Sequence, residues 1–145
     1  MPYWTLLYHI VWATKDRQPL LVGEVETRIL GLIRGKAVNL GLTVHALNCM
    51  PDHVHLVASI PPNLSVARVI GQIKGVATAI YNKERGVDDP AVYWQAEYGA
   101  FTLDRKRLPV YIAYVNGQKA HHGEDNTIAA LERWGETSSI QPARG

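Results

Sequence analysis

His53, Val54 and His55 open an apolar run that continues Leu56-Val57-Ala58-Ser59-Ile60. Side chains at i and i+2 of a strand share a face, so both imidazoles project the same way. Neutral imidazole is the commonest side-chain metal ligand, and a rigid strand holding two of them is half of a metal site. Tyr114 and Gln118 lie four residues apart on a predicted helix, on one face and about one turn from each other. If that face packs against the histidine strand, a divalent ion can take two imidazole nitrogens and one amide oxygen. Positions then stay open for water or substrate, as in catalytic rather than structural sites. Mixed nitrogen and oxygen donors suit Mg, Mn, Co or Ni better than structural zinc. A phenol with an ordinary pKa near ~10 is a poor nucleophile unassisted. It can attack a phosphate whose nonbridging oxygen a metal polarises. The product, a phosphotyrosine, conserves the energy of the phosphodiester, so the strand can later be rejoined.

The elements that must position these residues follow from pattern. Trp4 to Thr14 is aromatic and β-branched and predicts a strand. Glu24 to Leu40 has helical spacing, with a stop at Asn39 and Gly41. Leu42 to Met50 predicts a second strand, Pro51-Asp52 a turn, and His53 to Ile60 a third strand in hairpin with the second. Ser65 is a plausible N-cap for a helix through about Glu84. Tyr93 to Leu103 predicts a fourth strand, with an interruption near Gly99. Leu108 or Pro109 opens a helix running to about His122, with Gly123 beyond its end. A short helix is expected at Asn126 to Trp134. The order β-α-β-β-α-β predicts an α+β, ferredoxin-like fold of the kind also seen in RNA-recognition domains. Its antiparallel sheet has helices on one face, followed by the tyrosine-bearing helix. The expected organisation is a single domain over residues 1–135 and a flexible tail over 136–145.

The bulk properties exclude little. With 145 residues, 47% apolar and 19% charged, the chain reads as one soluble globular domain. No apolar run approaches the roughly 20 residues of a membrane helix, so no membrane association is expected. The start lacks a signal-peptide pattern. A single cysteine, Cys49, forms no internal disulfide and reads as a small core residue, which suits a cytoplasmic location. A net charge of +2 does not by itself argue for nucleic acid.

The motifs carry a more specific signal. Tyr8-His9-Ile10-Val11-Trp12 with Thr14-Lys15-Asp16-Arg17, then Met50-Pro51-Asp52-His53-Val54-His55-Leu56, resemble landmarks of the single-tyrosine HUH transposases. These are the insertion-sequence-two-hundred-like enzymes, which include the REP-associated tyrosine transposases. Trp94-Gln95 with Tyr98-Gly99-Ala100-Phe101, and Tyr114-Val115-Asn116-Gly117-Gln118 followed by His121-His122, resemble the remaining landmarks in the same order. The resemblance implies that His53, His55 and Gln118 ligate a divalent metal ion, Mg or Mn. It implies that Tyr114 is the nucleophile, leaving a 5′-phosphotyrosine and a free 3′-hydroxyl. It also implies a homodimer, with single-stranded DNA bearing hairpins as the partner and no nucleotide cofactor. The sequence departs from the family at Gly117, where asparagine is usual, and at Glu97, where glycine is usual.

Other residues have competing roles. By composition Tyr111 is as good a tyrosine as Tyr114, and only the resemblance separates them. Lys15, Arg17, Lys74, Arg105 and Lys106 are solvated surface charges or, in a DNA enzyme, phosphate contacts, and Arg107 belongs with them. Asp52 is an extra ligand, a partner orienting a histidine from outside or a turn former, the last two being favoured. His9 and His45 read as strand packing or pairing residues. His121 and His122 suit a helix C-terminus or, equally, a phosphate contact. Trp12 reads as core, whereas Trp94 and Tyr98 could stack on unpaired bases. Two rival functions stay open here: a domesticated hairpin-binding protein that moves no element, and a non-catalytic RNA-binding module, although no aromatic RNP1 signature is present.

Overall fold

Seven strands and helices follow one another through residues 4–118, the part of the chain that a computed structural model describes. They are β1 (Leu7–Ala13), α1 (Gly23–Asn39), β2 (Thr43–Met50), β3 (His53–Ser59), α2 (Val66–Glu84), β4 (Gly99–Leu103) and α3 (Leu108–Asn116). The strands form one antiparallel sheet in the order β2-β3-β1-β4, which is the ferredoxin-like arrangement. The expected helix at Asn126–Trp134, His121, His122 and the tail lie outside the described residues.

The two central strands are buried on both faces. In β1 only Tyr8 keeps partial exposure, and in β3 only Ser59 does. Toward one face point Ile10 and Trp12 of β1 and Val54, Leu56 and Ala58 of β3. They pack against Ile29, Ile33 and Ala37 of α1 and Val69, Ile70, Ile73 and Ala77 of α2. Cys49 lies in the same core. The opposite face is covered by α3, whose Tyr114 and Val115 pack on Ala46 and Val57. Burial on both faces explains why β3 reads as a nearly unbroken apolar run in the sequence. The two polar residues in that run, His53 and His55, therefore lie beneath α3.

The helix ends follow local chemistry. Gly41 sits at φ +93, and the bonds Leu42 N–H to Ala37 O (3.0 Å) and Gly41 N–H to Val38 O (3.0 Å) close the end of α1. The Ser65 hydroxyl accepts the Arg68 N–H at 3.1 Å and caps α2. Replacing Ser65 by Ala should lower stability by about 1 kcal/mol, read as a drop of a few degrees in the melting temperature with unchanged Mn²⁺ binding.

Two elements depart from the expected pattern. The fourth strand is shorter than expected: Trp94 makes an isolated bridge to Thr14, and continuous pairing resumes only at Gly99. Between them Lys74 Nζ on α2 donates to the carbonyl of Gln95 at 2.7 Å, with those of Ala96 and Glu97 at 3.5 Å. These carbonyls face the ammonium instead of a strand partner. In β2 the register shifts at His45, where Val44 pairs with Ala58 but Ala46 pairs with Val57. This bulge lets Val44 share the α1/α2 face with Leu47 and Cys49. It turns Ala46 toward α3.

Candidate functional site

β3 places His53 and His55 side by side under α3, with ring centroids 5.0 Å apart. Both residues are shielded from solvent. Each imidazole is held at its Nδ1 atom. His53 Nδ1 lies 2.7 Å from Asp52 Oδ1, and His55 Nδ1 lies 2.8 Å from His9 Nε2. An ionised carboxylate only accepts, so His53 carries its proton on Nδ1 and keeps an Nε2 lone pair. Asp52 is itself held by Arg17, whose Nε and a terminal nitrogen lie 3.1 and 3.0 Å from Oδ2. Burial pushes the Asp52 carboxyl up, but the hydrogen bond from His53 and the Arg17 charge outweigh it and hold the group below its ordinary range.

The loop that presents Arg17 is strained. Asp16 and Arg17 both adopt left-handed backbone, at φ 57 and φ 54. Such conformations cost non-glycine residues about 1–3 kcal/mol. The Thr14 N–H bonds to Asp52 O at 2.9 Å and anchors the start of this turn to the β2–β3 hairpin. Ala13 pairs with His53 in the sheet, so Lys15 and Arg17 leave β1 at the histidine end.

α3 brings Tyr114 to the same face. Its ring stands nearly perpendicular to that of His55 with centroids 6.0 Å apart, and lies 6.2 Å from His9. Asn48, the sheet partner of His55, ties down the end of the helix. Its side-chain amide donates to the carbonyls of Val115 at 3.0 Å and Asn116 at 3.4 Å. The regular turns of α3 end at Asn116, where Gly117 takes φ −95, ψ 14, and the expected continuation to His122 lies outside the described residues. The Gly117 N–H still reaches Ala113 O at 3.0 Å, so the departure is local. Gln118 resumes helical geometry and is fully buried. One turn on from Tyr114, its Oε1 is shielded from solvent, as are Nε2 of His53 and of His55.

The residues present fit a divalent ion. Two imidazoles with Nδ1 engaged offer Nε2, and the amide of Gln118 offers an uncharged oxygen. Three residues singled out from the sequence, His53, His55 and Tyr114, share one face, and Gln118 is buried one turn on from Tyr114. The predicted phosphate contacts divide. Lys15 is exposed at the histidine end, whereas the Arg17 guanidinium is engaged by Asp52. Arg105 and Lys106 are exposed in the turn Arg105–Arg107 before α3, at the far end of the sheet, where Leu103 pairs with Leu7. Lys74 stands on α2, in the layer behind the sheet, with its ammonium on the 95–97 carbonyls. Burial lowers its pKa, and Glu97 partly opposes that shift. Trp12 and Trp94 meet edge to face at 6.0 Å in or against the core, and Trp94 Nε1–H donates to Lys74 O.

A match to a family model now bears on this geometry. The family described as "Transposase IS200 like" matches residues 2–118. The chain belongs to the IS200-like transposase family. Among curated relatives of this IS200-like chain, ISDra2 transposase TnpA from Deinococcus radiodurans is 38% identical over 72 residues, 50% of this chain and 51% of that protein. The transposase for insertion sequence element IS200 from Salmonella typhimurium is 29% identical over 83 residues, 57% of this chain and 55% of that one. The matched segments span about half the length of these relatives. The fold resembles the crystal structure of a candidate transposase from Deinococcus radiodurans, with TM-score 0.63 and 26% identity over 81% of this chain and 93% of that one. It also resembles a REP-associated tyrosine transposase bound to a REP hairpin, with TM-score 0.64 and 14% identity over 85% and 72% of the two chains. No helix among the described residues is long and apolar enough to cross a membrane.

Sequence reasoning missed His9, Asn48 and the engagement of Arg17 within this IS200-like fold. Alternation in β1 does separate His9 from Ile10 and Trp12, but its partner depends on the β1–β3 register. Burial lowers the His9 pKa from 6.5 to about 4. The folded-state pKa lies below the unfolded one, so the unfolded chain takes up this proton first. Stability from this group should therefore fall as pH drops from 6.5 toward 4, by an amount on the order of 3 kcal/mol, and level off below. Urea melts at pH 7, 5 and 4 without added metal check this. An unchanged midpoint across that interval contradicts it.

Proposed function

We propose that this IS200-like transposase cuts and rejoins single-stranded DNA through a tyrosine HUH mechanism. Tyr114 is the nucleophile, and His53, His55 and Gln118 hold a divalent ion, Mg or Mn. The observation that carries the reading is the Tyr114 ring edge-on to His55 at 6.0 Å, above a histidine pair held at both Nδ1 atoms. When bound, the ion supplies charge stabilisation at a nonbridging phosphate oxygen. The Tyr114 oxygen attacks phosphorus, the bond to the 3′ oxygen breaks, and the phenolic proton ends on the released 3′-hydroxyl. One phosphodiester replaces another, so the strand is resealed by the reverse step with a different 3′ end. Tyr114 is only 3% exposed, so the phosphate reaches its phenol when α3 shifts on the sheet. The break at Gly117 and the Asn48 tie are the points about which that shift is set. Lys15, at the histidine end of the sheet, would serve as a phosphate contact, and Arg105 and Lys106, at the far end, would hold flanking DNA. By resemblance the working unit is a homodimer and the substrate carries hairpins at its ends.

The test uses purified protein, a labelled single-stranded oligonucleotide carrying a hairpin, and Mn²⁺. A covalent protein–DNA band resistant to SDS and abolished by chelator is the expected result. Hairpin binding with no adduct at any metal concentration would instead favour the hairpin-binding reading without strand transfer.

A further inference from the structure

We propose that His9 is a positioning residue: it accepts the Nδ1–H of His55 and so fixes that ring in the tautomer whose Nε2 can face an ion. The proposal rests on the metal reading given above. His9 is fully buried on the α3-facing side of β1, where an apolar side chain would be the expected occupant. It faces His55 at 2.8 Å from Nε2 to Nδ1, with ring centroids 5.1 Å apart. It also touches both tyrosines of α3, with Tyr111 perpendicular at 5.6 Å and Tyr114 at 6.2 Å. Its own Nδ1 is shielded from solvent and has no hydrogen-bond partner among the described residues. A buried polar atom left without a partner is destabilising, and an apolar residue here would avoid that cost. Packing alone therefore gives no reason for an imidazole, whereas an acceptor for His55 does.

Tautomer logic sets what His9 must do. A neutral imidazole carries one proton, and a ligand must present its bare nitrogen. His53 reaches that state through the Asp52 carboxylate, an obligate acceptor. At Nδ1 of His55 stands another imidazole, with His9 Nε2 at 2.8 Å. His9 must then carry its own proton on Nδ1, the atom that lacks a partner. The two ligands are thus set by different means, one by an anion paired with Arg17 and one by a neutral ring. Both orient the donor atoms without adding net charge to the site.

Long-range ¹H–¹⁵N correlation spectra of the metal-free protein at pH 8 read the tautomer directly. Wild type should show His55 with Nδ1 protonated and Nε2 bare. His9→Phe should shift His55 toward the Nε2–H form and weaken Mn²⁺ binding by about 10–100-fold, with native circular dichroism. His9→Gln, whose side-chain oxygen can accept the same proton, should stay close to wild type. A wild-type His55 protonated at Nε2, or a folded His9→Phe that binds Mn²⁺ as wild type does, overturns the proposal. Should His9→Phe fail to fold, the wild-type tautomer and His9→Gln decide. Absence of Mn²⁺ binding by wild type would count against the metal reading itself, while the tautomer measurement still tests His9.

Discussion

Tyr114→Phe should reduce the covalent protein–DNA adduct to background, a loss of more than about 10³-fold. The substitution removes one oxygen and keeps the ring that stands edge-on to His55 and His9. Its cost to the fold is that of a hydroxyl, about 1 kcal/mol, so the variant should melt close to wild type and still bind Mn²⁺. Tyr111→Phe is the matched control. Tyr111 sits one turn earlier on α3 and meets His9 at 5.6 Å, so it packs on the site's edge and should retain the adduct. Equal adducts from wild type and Tyr114→Phe would remove Tyr114 from the mechanism. Transfer of the defect to Tyr111→Phe would reassign the nucleophile.

The second large effect is on the metal. His55→Ala and His53→Ala should each weaken Mn²⁺ binding by more than about 100-fold, because a missing ligand costs more than the 10–100-fold typical of its supporting contacts. Asp52→Asn should fall in that lower range, since an amide can turn its N–H toward His53 and no longer obliges Nδ1 to donate. His55→Ala also strands His9 Nε2, and a buried polar atom left without its partner costs about 1–3 kcal/mol. Melting curves beside Mn²⁺ titrations followed by electron paramagnetic resonance separate the two effects. Wild-type affinity in a folded His53→Ala or His55→Ala would overturn the ligand assignment.

Periodicity made much of the scaffold legible. Ile29, Ile33 and Ala37 recur every four residues and mark the buried stripe of α1, and Val69, Ile73 and Ala77 do the same for α2. The β-α-β-β-α-β order then leaves few ways to build one sheet, and the observed order β2-β3-β1-β4 is the ferredoxin-like one. Local rules also located the Ser65 cap and the Gly41 stop. They failed where a distant group overrides the chain's own preference. Lys74 holds back the first half of the predicted fourth strand, and the bulge at His45 resets the faces of β2.

The candidate site divides in the same way. The i, i+2 spacing of His53 and His55 and the i, i+4 spacing of Tyr114 and Gln118 follow from strand and helix geometry, so each pair was readable from the sequence. That Tyr114 meets His55 was not. It depends on α3 covering the face opposite α1 and α2, and on Asn48 holding the end of α3 beside His55. The sequence alone could likewise place Arg17 near the histidines only as one more cation. A left-handed turn and a hairpin from another part of the chain join it to Asp52 instead. His9 is the extreme case, 46 residues from His55. Residue type and spacing determine which way a side chain points from its own backbone. Which atom it meets there is decided by strand register and layer packing, and those are properties of the whole folded chain.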